Sequence, residues 1–405
     1  MRIAIYSDNF YPELSGISDS IITLGKELAS MGHQICFVAA RYTRRNFEKA
    51  GHKARELDLG PNIHFIRLFS VPMPSATGQG RFAIPFGRSA KLLREFKPDI
   101  IYTNHFGGVG LEALKAARKL GVPLLGTSHT PMREFMKYSP IRNEWATEKV
   151  LKYVSWYYNH CDYVTAPSQF LFQEMIHYGF NKPHRVLSNP IHTGDFKPVE
   201  STERKLQLKQ RFGINGPTLI YTGRLAPEKH VDVIVKALAI VKQSIPDANM
   251  LIPGHGSAEN DLKKLAADLG LSDAVKFLGF VGQETFLEAY QASDVFAVAS
   301  TAEMQCLSMM NAMLCGLPVI GVRAGALPEY INDANGFVIE PGDVQAMADK
   351  ILYLFQNTEV AAALGQGGRN YAMQFSSPNI AREWISLFER CILDVHETKL
   401  RNTSL

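Results

Sequence analysis

Residues Thr218–Leu238 spell TLIYTGRLAPEKHVDVIVKAL. A short apolar run, Thr218–Tyr221, breaks at a glycine into a charged turn, and Pro227 then opens a stretch whose apolar residues recur with helical period. The pattern is a strand followed by a helix, the unit from which parallel sheets with right-handed crossovers are assembled. The turn between them holds Arg224 and Lys229, five residues apart. At a strand end a guanidinium fork and an ammonium can converge on one diphosphate. A structural arginine and a solvated lysine account for the same spacing.

The alternation runs outward in both directions. Toward the amino terminus the apolar runs predict strands at Arg2–Ser7, Gln34–Ala39, Ile63–Phe69, Ile100–Thr103, Pro123–Thr127, Tyr163–Ala166 and Arg185–Ser188. Toward the carboxyl terminus they predict strands at Asn249–Ile252, Val275–Leu278, Val295–Ala299 and Pro318–Gly321. A polar stretch, Asn189–Glu203, breaks the rhythm and looks like a linker. The whole is an α/β chain of two Rossmann-like domains, residues 1–190 and 191–377, with a ligand expected between them at the carboxyl ends of the strands. Helices near Asp343–Gln356, Val360–Phe375 and Pro378–Leu393 close the chain, and the segment 378–405 is expected to return to the first domain. No internal repeat or low-complexity segment is visible.

Composition narrows the class. With 405 residues, 46% hydrophobic and 20% charged, the chain is too apolar to be disordered. Five scattered cysteines, none spaced C-x-x-C, support neither a disulfide framework nor a structural zinc site. The amino terminus lacks the apolar stretch of a signal peptide, and no run reaches the ~18 apolar residues of a membrane span. A soluble, cytoplasmic protein is expected. The net charge of +4 divides into +8 over residues 1–195 and −4 over 196–405. The excess clusters at Arg41, Arg44, Arg45, Lys49, Lys53 and Arg55, and again at Arg88, Lys91, Arg94 and Lys97. Such groups suit an anionic surface or ligand; a solubilising face explains them too.

Three more turns carry groups suited to phosphate or sugar. Asp8–Gly16 runs into a helix, where a glycine lets backbone amides approach an anion, although a tight turn also explains Gly16. Gly254-His255-Gly256-Ser257 begins like a dinucleotide fingerprint but has Glu259 at the third glycine position, so a nicotinamide oxidoreductase is poorly supported. Ser300–Leu307 precedes an expected helix, Ser308–Cys315, that contains Asn311. Its amides could bind a phosphate or hydroxyl and Glu303 could accept from sugar hydroxyls; a plain helix cap is the alternative. His129, in Ser128-His129-Thr130 after a strand, is the remaining candidate. The chain has no D-x-D motif to hold a divalent ion, which leaves Arg224 and Lys229 to neutralise charge.

Together the segments YSDNFYPELSG, TSHT, YVTAPSQF, TGRLAPEKHVDVIVKAL, GHGSAENDLKKLAADLGLSDAVKFLGFV and STAEMQCLSMMNAMLCGLPVIG resemble glycosyltransferase family 4, the retaining enzymes of GT-B fold. They run in family order over nearly the whole chain, and the first two are most similar to bacterial diacylglycerol glucosyltransferases and phosphatidylinositol mannosyltransferases. The resemblance implies two Rossmann-like domains facing each other across a cleft, the first binding the acceptor and the second the nucleotide sugar. It implies that Arg224 and Lys229 bind the diphosphate, and that Glu303, the first acid of a Glu-x7-Glu motif, holds donor-sugar hydroxyls. The amides of Gln305, Cys306 and Leu307 would serve the sugar and phosphate, Gly16 the diphosphate loop, and His129 the reacting sugar. The nucleobase would meet Gly254, Phe280 and Val281.

The second acid of that motif is Asn311 here, a shorter and neutral group toward the ribose. The implied activity is transfer of a hexose, with retention, from a nucleotide diphosphate sugar, UDP-sugar favoured, to an acceptor hydroxyl on a lipid or glycolipid. The alternatives are a soluble or polysaccharide acceptor, or a non-catalytic nucleotide-sugar binder that kept the fold. Neither cofactor nor metal is expected. The implied partners are the nucleotide sugar, the acceptor and an anionic membrane surface at the inner face of the membrane, with no nucleic acid.

Overall fold

The computed structural model describes residues 1–13, 15–49, 56–73, 80–137 and 143–403. Leu14 of the first turn, and Lys53 and Arg55 of the first basic group, lie outside the described residues. The chain forms two compact units, Met1–Pro190 with Ser377–Leu405, and Ile191–Ser376.

The first unit contains β1 (Arg2–Ser7), β2 (Gln34–Ala40), β3 (Ile63–Leu68), β4 (Ser70–Pro72), β5 (Arg81–Ala83), β6 (Ile100–Thr103), β7 (Leu124–Thr127), β8 (Tyr163–Ala166) and β9 (His184–Val186). Seven of these form a parallel sheet in the order β3-β2-β1-β6-β7-β8-β9, while β4 and β5 pair separately as an antiparallel hairpin. Central strands with helices on both faces are apolar throughout, and β1 is buried from Ile3 to Ser7. The helix Gly16–Ser30 starts with Ser15 and Ser18 capping each other, so its first turn is fixed by side chains. The last helix, Ser377–Thr403, lays Trp384 against Tyr102 at 4.6 Å and bonds Ser377 to Glu27. It outruns the expected end at Leu393 because its apolar period stops there while helix-forming residues and pairs such as Arg401 with Glu397 carry it on.

The second unit contains β10 (Thr218–Ile220), β11 (Asn249–Pro253), β12 (Val275–Gly279), β13 (Val295–Ala297), β14 (Val319–Val322) and β15 (Gly336–Ile339), all parallel, in the order β12-β11-β10-β13-β14-β15. The stretch expected to be a linker is part of this unit. Ile191 bridges to Ser376, Phe196 is buried among Phe286 and Tyr290, and the helix Thr202–Arg211 is tied down by Lys205 and Lys209 on Asp294 and by Arg204 and Arg211 on Glu288. A polar composition hid two buried apolar anchors.

In each sheet the strand order reverses once, between β1 and β6 in the first unit and between β10 and β13 in the second. At such a reversal the loops leaving the carboxyl ends of the two strands diverge, and the crevice they leave is where α/β sheets bind ligands.

Candidate active site

In the second unit the reversal sets the Thr222–Lys229 turn beside the Ser300–Cys306 loop. The Lys229 ammonium meets the Glu303 carboxylate at 2.5 Å, and both side chains are largely buried. Burial opposes each charge, yet the pair outweighs it: Lys229 titrates above the ordinary lysine range, and Glu303 below the ordinary carboxylate range with Ser300 adding a hydrogen bond. Arg224 is half exposed and pairs with Glu228 at 2.5 Å, while the Tyr221 hydroxyl donates to the Arg224 carbonyl at 3.2 Å. So the two cations singled out by spacing lie at one crevice, each with a carboxylate partner that the spacing did not reveal.

Two left-handed residues shape this crevice. His230 (φ 48°) caps the helix Val231–Ser244, and Cys306 (φ 55°) caps the helix Leu307–Leu314. Neither is glycine, so each stores strain of about 1–3 kcal/mol, the kind that concentrates at functional sites. Burial pushes the Cys306 thiol up to about 12, which keeps it an inert packing group. Gln305, Cys306 and Leu307 lead into that helix, whose first amides have no acceptor within it. Gly325 (φ +54°) closes the loop from behind. A Cβ there would stand 2.5 Å from the Glu303 carbonyl oxygen, which accepts the Ala326 amide at 2.8 Å. Sequence reasoning passed over Gly325; an isolated glycine soon after β14 was its only signal.

Asn311 lies one turn into the helix, partly buried and hydrogen-bonded to the Tyr290 hydroxyl, which also meets Thr222 at 2.5 Å and donates to the Ser308 carbonyl. Gly254 and Phe280–Val281 come together through a bridge from Gly254 to Gly279, with Phe280 almost fully exposed. They follow β11 and β12, on the far side of β10 from Glu303. Gly254 and Gly256 have a packing role of their own: a Cβ on Gly256 would fall 2.2 Å from the Leu225 carbonyl, so glycine lets two adjacent turns touch.

In the first unit the reversal is bridged by Asp8, whose carboxylate accepts the Val109 amide at 2.9 Å and the Gly110 amide at 3.4 Å. Burial raises its pKa to about 6 against those hydrogen bonds. His129, after β7, is buried and bonds through Nε2 to Asn104 Oδ1 at 2.9 Å. Burial, with neighbouring His105 adding to it, pushes His129 down to about 3, and burial pushes His105 to about 4. Asn104 donates its amide to the Tyr6 carbonyl, so its oxygen faces His129, which then carries its proton on Nε2 and leaves Nδ1 as an acceptor. His105 Nδ1 and Asn9 Oδ1 are buried without hydrogen-bond partners. Asn104 and His105 were not singled out in the sequence; a polar pair straight after the buried strand Ile100–Thr103 was their signal. Gly16 is exposed as the first residue of its helix.

Two α/β units, each a parallel sheet whose order reverses once, have the architecture of the GT-B fold. Anabaena HepE, whose crystal structure holds UDP, superposes with a TM-score of 0.76 at 22% identity over 96% of this chain and all of its own. The Glycosyltransferase Family 4 model matches residues 14–195 and the Glycosyl transferases group 1 model residues 204–371. The chain belongs to this glycosyltransferase family and is an enzyme of it. Among its relatives, the alpha-monoglucosyldiacylglycerol synthase of Streptococcus pneumoniae is 28% identical over 82% of this chain and 74% of that protein. The GDP-mannose-dependent alpha-mannosyltransferase of Corynebacterium glutamicum is 27% identical over 91% and 84%.

Proposed function

We propose that this enzyme transfers a hexose, with retention, from a nucleotide diphosphate sugar to a hydroxyl of a lipid or glycolipid, with UDP-sugar the favoured donor. The Lys229–Glu303 pair at the switch point of the second unit is the observation that carries the proposal. Arg224 and Lys229 bind the diphosphate and stabilise the charge that grows on it as the bond to the anomeric carbon breaks. Glu303 aligns the sugar through its hydroxyls, assisted by the amides of Gln305, Cys306 and Leu307. Gly254, Phe280 and Val281 receive the base, and Asn311 faces the ribose. The family pattern assigns Gly16 to the diphosphate and His129 to the reacting sugar. The acceptor oxygen bonds to the anomeric carbon on the face the diphosphate leaves, and its proton passes to that diphosphate. No metal is required, because the two cations supply the neutralising charge.

Support for the lipid acceptor comes from the diacylglycerol-directed relative, and support for UDP from the ligand of the HepE crystal. The inner face of a membrane with anionic lipid is the proposed workplace; among the described residues no helix is long and apolar enough to cross a membrane. The test is a thermal-shift panel of UDP-glucose, UDP-galactose and GDP-mannose, followed by turnover of the best donor with diacylglycerol vesicles and NMR of the product anomer. Stabilisation by a UDP-sugar and an axial product are expected. Stabilisation by GDP-mannose alone overturns the donor assignment, an inverted anomer overturns retention, and transfer only to soluble or polysaccharide acceptors overturns the lipid.

A further inference from the structure

The turn that leaves β1, Asp8–Gly16, is pinned at both ends. Asp8 accepts the first amides of the helix Gly108–Leu120, and Ser15 with Ser18 fixes the start of the helix Gly16–Ser30. Its middle is held by an arginine from another strand. Arg67 stands on β3, at the edge of the sheet and separated from β1 by β2, where a cation ordinarily turns to water. The Arg67 side chain folds inward instead and is only 16% exposed.

The guanidinium donors of Arg67 join three segments. Nε and Nη2 donate to the Glu56 carboxylate at 2.9 and 2.5 Å, Nη1 donates to the Ala40 carbonyl at 3.2 Å, and Nη2 donates again to the Tyr11 carbonyl at 3.0 Å. The same group lies 5.2 Å from the ring of Phe10 and 5.9 Å from that of Tyr42. Phe10 is fully buried, 4.9 Å from Phe37, and Tyr11 meets Phe47 edge-on at 5.6 Å. Beside them the Tyr42 hydroxyl donates to the buried Glu13 carboxylate at 3.1 Å, and Ser18 donates to the Glu13 carbonyl at 3.1 Å. Both carboxylates, Glu56 and Glu13, therefore have donors, and neither is left to repel an anion at the turn. A buried ion pair adds little stability over a well-packed apolar pair of the same size. What Arg67 supplies in addition is the fixed direction of its donors.

We propose that Arg67 is a positioning residue for sugar transfer: with Glu56 and Tyr42 it holds the Asp8–Gly16 turn in the shape that presents the start of the Gly16–Ser30 helix to the donor diphosphate. A turn fixed before the donor arrives needs no reordering as charge grows on the leaving group, and small misplacements there are costly. The inference rests on the reading above that assigns Gly16 to the diphosphate, and adds which residues hold Gly16 in place.

The test separates stability from turnover in the full chain, with UDP-glucose as donor and calorimetry on UDP and uridine. Arg67→Met leaves the Glu56 carboxylate without its cation and is expected to lower both melting temperature and turnover. Arg67→Met/Glu56→Met removes the pair as a unit. This double variant is expected to melt within about 2 °C of wild type yet turn over about tenfold more slowly or worse, because the Tyr11 carbonyl stays unclamped. Its UDP binding is expected to weaken while its uridine binding holds. Turnover that recovers with stability in the double variant overturns the inference, since Arg67 then only supports the fold. Should the double variant fold poorly, Tyr42→Phe keeps the ring and drops only the bond to Glu13. Slower turnover with native circular dichroism is expected of it, and wild-type turnover overturns the clamp. Gly16→Val tests the underlying reading, and the two fail separately. Wild-type turnover by Gly16→Val removes the diphosphate from the turn, whereas an impaired Gly16→Val beside a normal double variant removes only the role of Arg67.

Discussion

The two switch points have opposite electrostatics. In the second unit Lys229 and Glu303 stay charged despite burial because each stabilises the other. In the first, His129, His105 and Asp8 are all driven toward their neutral forms because burial meets no counter-ion. The same topology thus yields a charged crevice suited to a diphosphate and a neutral one suited to hydroxyls. Whether an opposite charge comes within reach decides which, since desolvation acts on both alike.

The largest effect expected from breaking this contrast is on the charged side. Arg224→Ala and Lys229→Ala should each lower turnover about a hundredfold, or ~2.7 kcal/mol, while affinity for the bare nucleoside changes little. Lys229→Ala should be the worse, because it leaves Glu303 buried and unpaired. Steady-state kinetics on variants with native circular dichroism decide this; near-normal turnover in both, with Glu303→Gln alone inactive, would require a carboxylate-centred mechanism instead.

Adding charge should sharpen the contrast. Asn311→Glu restores an acceptor for two ribose hydroxyls and should tighten donor binding by roughly 1.5 to 3 kcal/mol, measured by calorimetry. Weaker binding would mean that the pocket, with Tyr290 against Asn311, has adapted to the amide. Gly325→Ala should destabilise the second unit by about 1–3 kcal/mol and loosen donor binding with it, because the new Cβ meets the Glu303 carbonyl from a left-handed backbone. An unchanged melting temperature would show that the Glu303 loop is held elsewhere.

The most gradual effect is on acid stability, and its pH window differs between the units. His129 and His105 have folded pKa values near 3 and 4 against an ordinary 6.5, so below about pH 6.5 the unfolded chain binds their protons first and stability falls. Asp8, raised from 3.8 to about 6, binds its proton first in the folded chain and offsets one of the two between pH 6 and 4. The cluster should therefore cost about 1.4 kcal/mol per pH unit across that window. Glu303, held below its ordinary 4.5, keeps its contribution above that pH and loses it only as pH falls further. Hydrogen exchange across a pH series should show the first unit opening before the second; simultaneous opening would refute the contrast.

The alternation of strand and helix, the cations of the Thr222–Lys229 turn and the carboxylate of Glu303 were legible because they are local. Period, turn chemistry and strand-end position can be read within a dozen residues. The hairpin strands β4 and β5 and the strand β15 were not marked: β4 turns its apolar residue outward, β5 opens on an arginine, and β15 is only half buried behind a glycine. Phe196 and Ile191 vanished into a polar stretch because a single apolar residue has no period. Only the tertiary structure decided that β10 lies beside β13, so that Lys229 meets a carboxylate 74 residues away, and that β1 lies beside β6, so that Asp8 caps a helix about a hundred residues on. Strand order and the burial that sets each group's charge are properties of contacts between distant segments, and no local period encodes which segments those will be.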